Sequence, residues 1–374
     1  MHLFRAGLLF CIILQLNDCI AGACNICSFK NTADTSAPFK TAARQLRTAI
    51  QQQFYNKQTG YYMEFAEASR NEKPASYLWP LCALIQADHE EEVLLKKNDL
   101  PDKTLSIIKK YYDAKPPHGG YASYPPALGG GDRFFDDNQW IGIAVMDAWQ
   151  NNRKPAYIAI AKDIYHFMMT GYDTAGGGGL YWEEGKPTKN TCSNGPGIIL
   201  ALQLYKATNE KSFLDTALLL YNWTNQHLRS PEGLYWDNVK IPSMKVDSAR
   251  YSYNTGTMLQ SALYLYEITR DKKYLTQARE SAKAALNFFY AKPLLKDDYW
   301  FNAVLLRAYQ HLLKHDNNFV YLKTFANCIR NEISQRQRKD GLFEKNGKTV
   351  NLVNQAGMLE ILNRLALIEE TKGY

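Results

Sequence analysis

Twelve stretches with helical periodicity alternate along this chain, six of each of two kinds. Six open on a polar or glycine-bearing cluster and continue as apolar helix. They begin near Tyr77 (YLWPLCALIQA), Asp136 (DDNQWIGIAVMDAW), Ser193 (SNGPGIILALQLY), Tyr253 (YNTGTMLQSALYLYEI), Asp298 (DYWFNAVLLRAYQHL) and Asn354 (NQAGMLEILNRLAL), at intervals of 45 to 60 residues. Ile141, Ile143, Ala144, Val145 and Met146 are almost unbroken, so such a segment is buried on more than one face. The other six run roughly over 38–55, 102–112, 156–170, 212–228, 273–290 and 319–335. These carry polar residues at helical spacing, as in Arg44, Arg47 and Gln51 or Lys273, Arg279 and Lys283, which marks a solvated face. No single pair can bury its own apolar side, so stacked pairs must close into a ring. The expected fold is all-α, a six-hairpin (α/α)6 toroid over residues 38–374, with each amphipathic segment preceding its apolar partner.

Turns of Gly followed by an aromatic or Leu punctuate the repeat at Gly60, Gly120, Gly179, Gly233 and Gly341. Each follows an amphipathic segment and precedes an apolar one, so small strands or hairpins are expected at one rim, with Gly supplying positive φ. The apolar helices run parallel and bring their polar openings to that rim. Asp136, Asp137, Asn138, Asn194, Tyr253, Asn254, Asp298 and Asn354 then surround one mouth, the expected site. Ordinary N-capping accounts for Asp297, Asp298 and Asn354. It does not account for Phe134-Phe135-Asp136-Asp137-Asn138-Gln139-Trp140, because one cap needs one carboxylate. Adjacent side chains on a first turn diverge by about a quarter turn, and both can face a ligand lying across it. Paired carboxylates in an aromatic pocket suit acetal hydrolysis, one attacking or activating water and one protonating the leaving oxygen.

Composition fits a sugar-handling protein. Aromatic residues make up 13% of the chain, with 25 Tyr against 16 Phe and 7 Trp, and Tyr offers a flat apolar face with a polar edge. The net charge of +7 is spread along the chain without a dense basic run, which argues against nucleic acid. Residues 1–23 read as an export signal ending Ala21-Gly22-Ala23, and residues 24–37 as a tail. Cys24 at a mature N-terminus raises a lipoprotein anchor, the one membrane attachment expected; the localisation is periplasmic, cell-surface or extracellular. Cys24 and Cys27 form a CxxC with no second pair or His cluster nearby, so no metal is expected, and no cofactor either.

Three stretches carry a family resemblance: FDDNQW at 135–140, SNGPG at 193–197 and YSYNTGTM at 251–258, supported by the Leu204–Thr208 and Tyr274–Ala278 repeats. They resemble glycoside hydrolase family 76, the endo-acting α-1,6-mannanases. The resemblance implies a retaining mechanism in which Asp136 is the nucleophile and Asp137 the acid/base. It also implies that Asp237 (in GLYWDN) and Asn194 contact substrate. Asn138 and Asn254 join them as candidate sugar contacts at the mouth; Trp79, Trp140, Trp182 and Tyr253 are stacking candidates. The chain ends Glu369-Glu370-Thr371-Lys372-Gly373-Tyr374 without an apolar tail, unlike the fungal cell-wall branch, which favours a bacterial hydrolase. A monomer acting on α-mannan is expected.

Two other readings compete. One is a different toroid enzyme, an unsaturated-glucuronyl hydrolase or a sugar epimerase. An epimerase needs convergent histidines, and none of His89, His118, His166, His227, His311 and His315 opens an apolar helix. The other is a non-catalytic mannan-binding surface protein, which has no use for two intact adjacent carboxylates.

Overall fold

The computed structural model describes residues 38–372 except 346 and 348; the expected signal, the tail and Cys24 with Cys27 lie outside them. Among the described residues there are twelve α-helices. The six apolar segments are α2 (Leu78–Leu95), α4 (Phe135–Asn152), α6 (Thr191–Thr208), α8 (Ser252–Thr269), α10 (Tyr299–Asp316) and α12 (Leu352–Lys372). Each packs on the next, and α12 packs on α2, which closes an inner ring. Ile141, Ile143, Ala144 and Val145 of α4 are fully buried, as a helix flanked on both sides and behind must be.

The amphipathic segments form the outer layer: α1 (Pro38–Gln53), α3 (Leu100–Ile108), α5 (Pro155–Met169), α7 (Lys211–Leu228), α9 (Lys272–Phe289) and α11 (Val320–Arg336). Their pairing differs from the expected one. Each inner helix forms a tight hairpin with the outer helix that follows it, and α1 covers α12 at the other end of the chain. The hairpin turns explain the order. Lys96, Arg153, Asn209, Arg270 and Asn317 each end an inner helix in the left-handed region, with φ between 50° and 60°. In the last four of these the backbone N–H bonds the carbonyl four residues back. Such a cap reverses the chain within a few residues and leaves room only for an immediate partner. The glycines expected to supply positive φ sit in the other turns, after the outer helices, and Gly60, Gly179, Gly233 and Gly341 do so, whereas Gly120 does not.

The longer outer-to-inner connections all reach the rim where the inner helices begin. They hold two short hairpins, β1 (Tyr55–Asn56) with β2 (Tyr61–Tyr62) and β3 (Tyr112–Asp113) with β4 (Gly120–Tyr121). They also hold an antiparallel sheet of β5 (Thr188–Asn190), β6 (Trp236–Lys240) and β7 (Lys245–Arg250), with β6 central and Asn190 opposite Asn238. Buried amides clasp these turns to the inner helices. Asn138 accepts from the Tyr121 N–H at 2.7 Å and donates to the Tyr121 and Phe134 carbonyls. Asn194 does the same with Leu180 and Asn190, and Gln355 with Phe343.

Capping crosses between hairpins as well. Asp297 accepts from the Ser252 N–H at 2.6 Å and caps α8; Asn354 accepts from the Tyr299 N–H at 2.9 Å and caps α10. Both were expected to cap their own helices. Glycines let the inner helices approach closely: a Cβ on Gly256 would lie 2.9 Å from the Leu305 backbone, and one on Gly357 only 2.3 Å from the Trp300 nitrogen. No described helix is long and apolar enough to cross a membrane.

Candidate active site

Asp136 and Asp137 stand in the first turn of α4, whose start is tied down by the Phe135 N–H bonding the Trp182 carbonyl at 3.0 Å. The same turn delivers the Trp182 indole, whose Nε1 donates to Asp136 Oδ2 at 3.1 Å. Asp136 Oδ1 accepts from the Asp137 N–H at 3.0 Å, and the Cys192 thiol also donates to this carboxylate. Cys192 is buried at the start of α6. Burial first, then the charges of Asp136 and Asp237, push its thiol well above the usual range, so it stays a donor. Tyr253 lies against the same sulfur.

Asp137 has a different environment. Among the described residues no group donates a hydrogen bond to its carboxyl, and Cys82 bonds only its main-chain oxygen. Burial, and then the adjacent Asp136, push the Asp137 carboxyl well above the ordinary carboxylate range. Burial also raises Asp136, to about 6, but its three donors hold it back. One member of the pair is therefore arranged as an anion and the other as an acid.

Both carboxyls open into a cleft of about 750 Å³. Trp182 packs on Phe134 with ring centroids 5.0 Å apart, on the side of Asp136. Across the cleft Tyr253 stacks on Phe301 at 4.1 Å, with Tyr251 beside them. Trp79 and Trp140 each meet Trp300 edge-on, at 6.0 and 5.6 Å. Trp140 and Trp300 are only 3% and 6% exposed and form the floor, whereas Trp79 and Trp182 are half-buried with faces open to a ligand. Asp237, on β6, enters the cleft held by Asn238 Nδ2 at 2.8 Å and Asn254 Nδ2 at 3.4 Å, and burial raises its pKa.

A profile of glycosyl hydrolase family 76 matches residues 38–338. The chain belongs to this family. Its likeness to curated relatives is partial: 30% identity over 172 residues to the mannan endo-1,6-alpha-mannosidase DCW1 of Saccharomyces cerevisiae, covering 41% of this chain and 38% of that enzyme. The chain thus spans about two fifths of the length of such relatives. A family 76 glycoside hydrolase from a bovine Bacteroides thetaiotaomicron strain superposes with a TM-score of 0.81 at 25% identity, covering 88% of this chain and 78% of that one. An inactive variant of the α-1,6-mannanase of Salegentibacter sp. HEL1_6, two consecutive aspartates replaced by asparagine, is solved with α-1,6-mannotriose. It matches with a TM-score of 0.74 at 21% identity, over 88% of this chain and all of that one.

In this family 76 chain the cleft gathers Asp136, Asp137, Trp79, Trp140, Trp182, Asp237 and Tyr253 of the expected site residues. Three asparagines need correction. Asn138 and Asn194 are fully buried, line no part of the cleft and use their amides on turn backbone. Asn254 is also fully buried and reaches the cleft only through Asp237. For Asn138 and Asn194 the physical reason is position: each is the fourth residue of its inner helix, and an amide there points back at the preceding loop, not into the mouth. Cys192, Asn238, Tyr251, Trp300 and Phe301 were missed. The Tyr-Trp-Phe run at 299–301 opens an inner helix, as the Asp pair does, and that shared register was the available signal.

Proposed function

We propose that this protein is an exported endo-acting hydrolase of α-1,6-linked mannan that works with retention of anomeric configuration. The observation that carries the reading is the unlike setting of two adjacent carboxyls in one aromatic cleft. Asp136, ionised and held by three donors, attacks the anomeric carbon; Asp137, kept protonated, gives its proton to the departing glycosidic oxygen. The resulting glycosyl ester on Asp136 is hydrolysed by a water that Asp137, now ionised, deprotonates. Trp79, Trp182 and the Tyr253–Phe301 stack offer faces to successive sugars, and Asp237 accepts from a hydroxyl.

Three lines support the substrate class. The family is that of the match, the curated relatives carry endo-1,6-alpha-mannosidase activity in their names, and the Salegentibacter enzyme holds an α-1,6-mannotriose. Export rests on the sequence of residues 1–23, and an anchor on Cys24. Debranched α-1,6-mannan should yield short mannooligosaccharides while α-1,2- and α-1,3-mannobiose stay intact. Proton NMR of the first products should show the α-anomer. No product from the α-1,6 polymer would refute the substrate, and a β-anomer formed first would refute retention.

A further inference from the structure

Far from the carboxylates, where the inner helices end, the ring contains a second polar cavity of about 300 Å³. His311 and His315 lie one turn apart near the end of α10, and Glu267 faces them from the end of α8. Glu267 Oε1 meets His311 Nε2 at 2.7 Å and His315 Nε2 at 3.2 Å, and one ligating atom from each residue lies within 4.8 Å of the others. We propose that these three residues bind a divalent transition-metal ion of the zinc type, which staples α8 to α10 at the base of the ring.

The chemistry of the three groups is that of a ligand set. Two imidazoles at i and i+4 with one carboxylate are borderline-soft N and O donors, and such a trio leaves further positions to water. Glu267 Oε1 is the oxygen that both histidines face. Lys206, from α6, bonds the other oxygen, Oε2, at 2.8 Å; this fixes the carboxylate plane and leaves Oε1 toward the histidines. The end of a helix also favours a cation. Two further observations point to an occupant. Gln260, 4% exposed on the wall of this cavity, has an amide oxygen without a partner. His311, 6% exposed on the same wall, has an unpartnered Nδ1. Both can bond water brought in with an ion. Ligand atoms around zinc stand about 3.3 Å apart at bond lengths of about 2.0–2.1 Å, so the trio needs shifts of about 1 Å to close on one.

The test uses the full chain carrying Cys24→Ser and Cys27→Ser, which removes the thiolate pair, and titrates it with Co²⁺ and then Zn²⁺. One Co²⁺ per chain should give visible d–d absorption that Zn²⁺ displaces, and Zn²⁺ should raise the Tm. His315→Ala and Glu267→Gln should each weaken binding by about 100-fold or more and abolish the Tm rise. His118→Ala, whose ring lies beside that of His166 with centroids 6.1 Å apart, should change neither. His315 is half-buried in a last helical turn, and circular dichroism checks that its variant folds. Absence of d–d absorption in the parent overturns the proposal, as does binding equal to the parent's in both His315→Ala and Glu267→Gln.

Discussion

Neighbouring aspartates on one helical turn share a peptide bond and almost nothing else in this cleft. Asp136 receives the Trp182 indole, the Asp137 amide and the Cys192 thiol, while Asp137 receives burial and its neighbour's charge. Asp136→Asn and Asp137→Asn should each slow hydrolysis of mannan by about 10²–10⁴-fold or more. With an aryl mannoside whose leaving group needs no proton, Asp137→Asn should regain glycosylation, and azide should restore its turnover. Asp136→Asn should recover neither, and recovery there would reverse the two roles. The rate should fall on the acid side near pH 6 as Asp136 is protonated, and on the alkaline side as Asp137 loses its proton, both limbs belonging to the coupled pair. Stability has its own pH dependence. A carboxyl raised in the folded state binds more protons there than in the unfolded chain, so stability declines as pH climbs from about 4 through the raised value. Asp137→Asn should therefore melt above the parent at pH 7, with the gap closing toward pH 4. The clasping amides behave otherwise: Asn138→Ala removes three buried hydrogen bonds and should cost about 2–4 kcal/mol in unfolding titrations. A KM change with unaltered stability would instead restore Asn138 as a sugar contact.

At the level of helices, the inner ring is held to its diameter by positions without side chains. Gly357→Ala would drive a methyl into the Trp300 backbone, a contact that only movement of α12 against α10 relieves. Since Trp300 floors the cleft, this change should cost about 3 kcal/mol and weaken mannan binding together, read by melting and by KM. Gly185→Ala is the contrast. Nothing lies within 4 Å of its Cβ position, and its φ of 74° charges only local strain, about 1 kcal/mol. Equal melting temperatures for the two variants would show that helix approach is not what the inner glycines serve.

Closure of the ring is a property of the entire molecule. The family match stops at residue 338, yet α12 begins at Leu352 and touches α2, α10 and α1. A chain ended at Arg338 should expose those three faces and show no cooperative thermal transition by circular dichroism. A sharp transition from that chain would mean that the remaining hairpins stand without closure.

The number of hairpins, the inner or outer station of each helix and the place of the Asp pair at an inner-helix start were all legible in the linear chain. The inner-helix starts fall within two residues of their expected positions. Periodicity and adjacency are local properties, carried by residues a few positions apart, and burial on every side leaves an unmistakable apolar run. Other features depended on residues brought together from distant repeats. Whether Asn138 faces sugar or turn backbone was decided by where Tyr121 lies, and the pairing of α1 with α12 by closure of the ring. Cys192 became a donor to Asp136 because α6 lies against α4, and Trp300 became a floor because α10 leans on Trp140. The division of the carboxyls into anion and acid belongs to the same class. A pKa records the solvent, charge and donors around a group, and that environment exists only once the ring has closed.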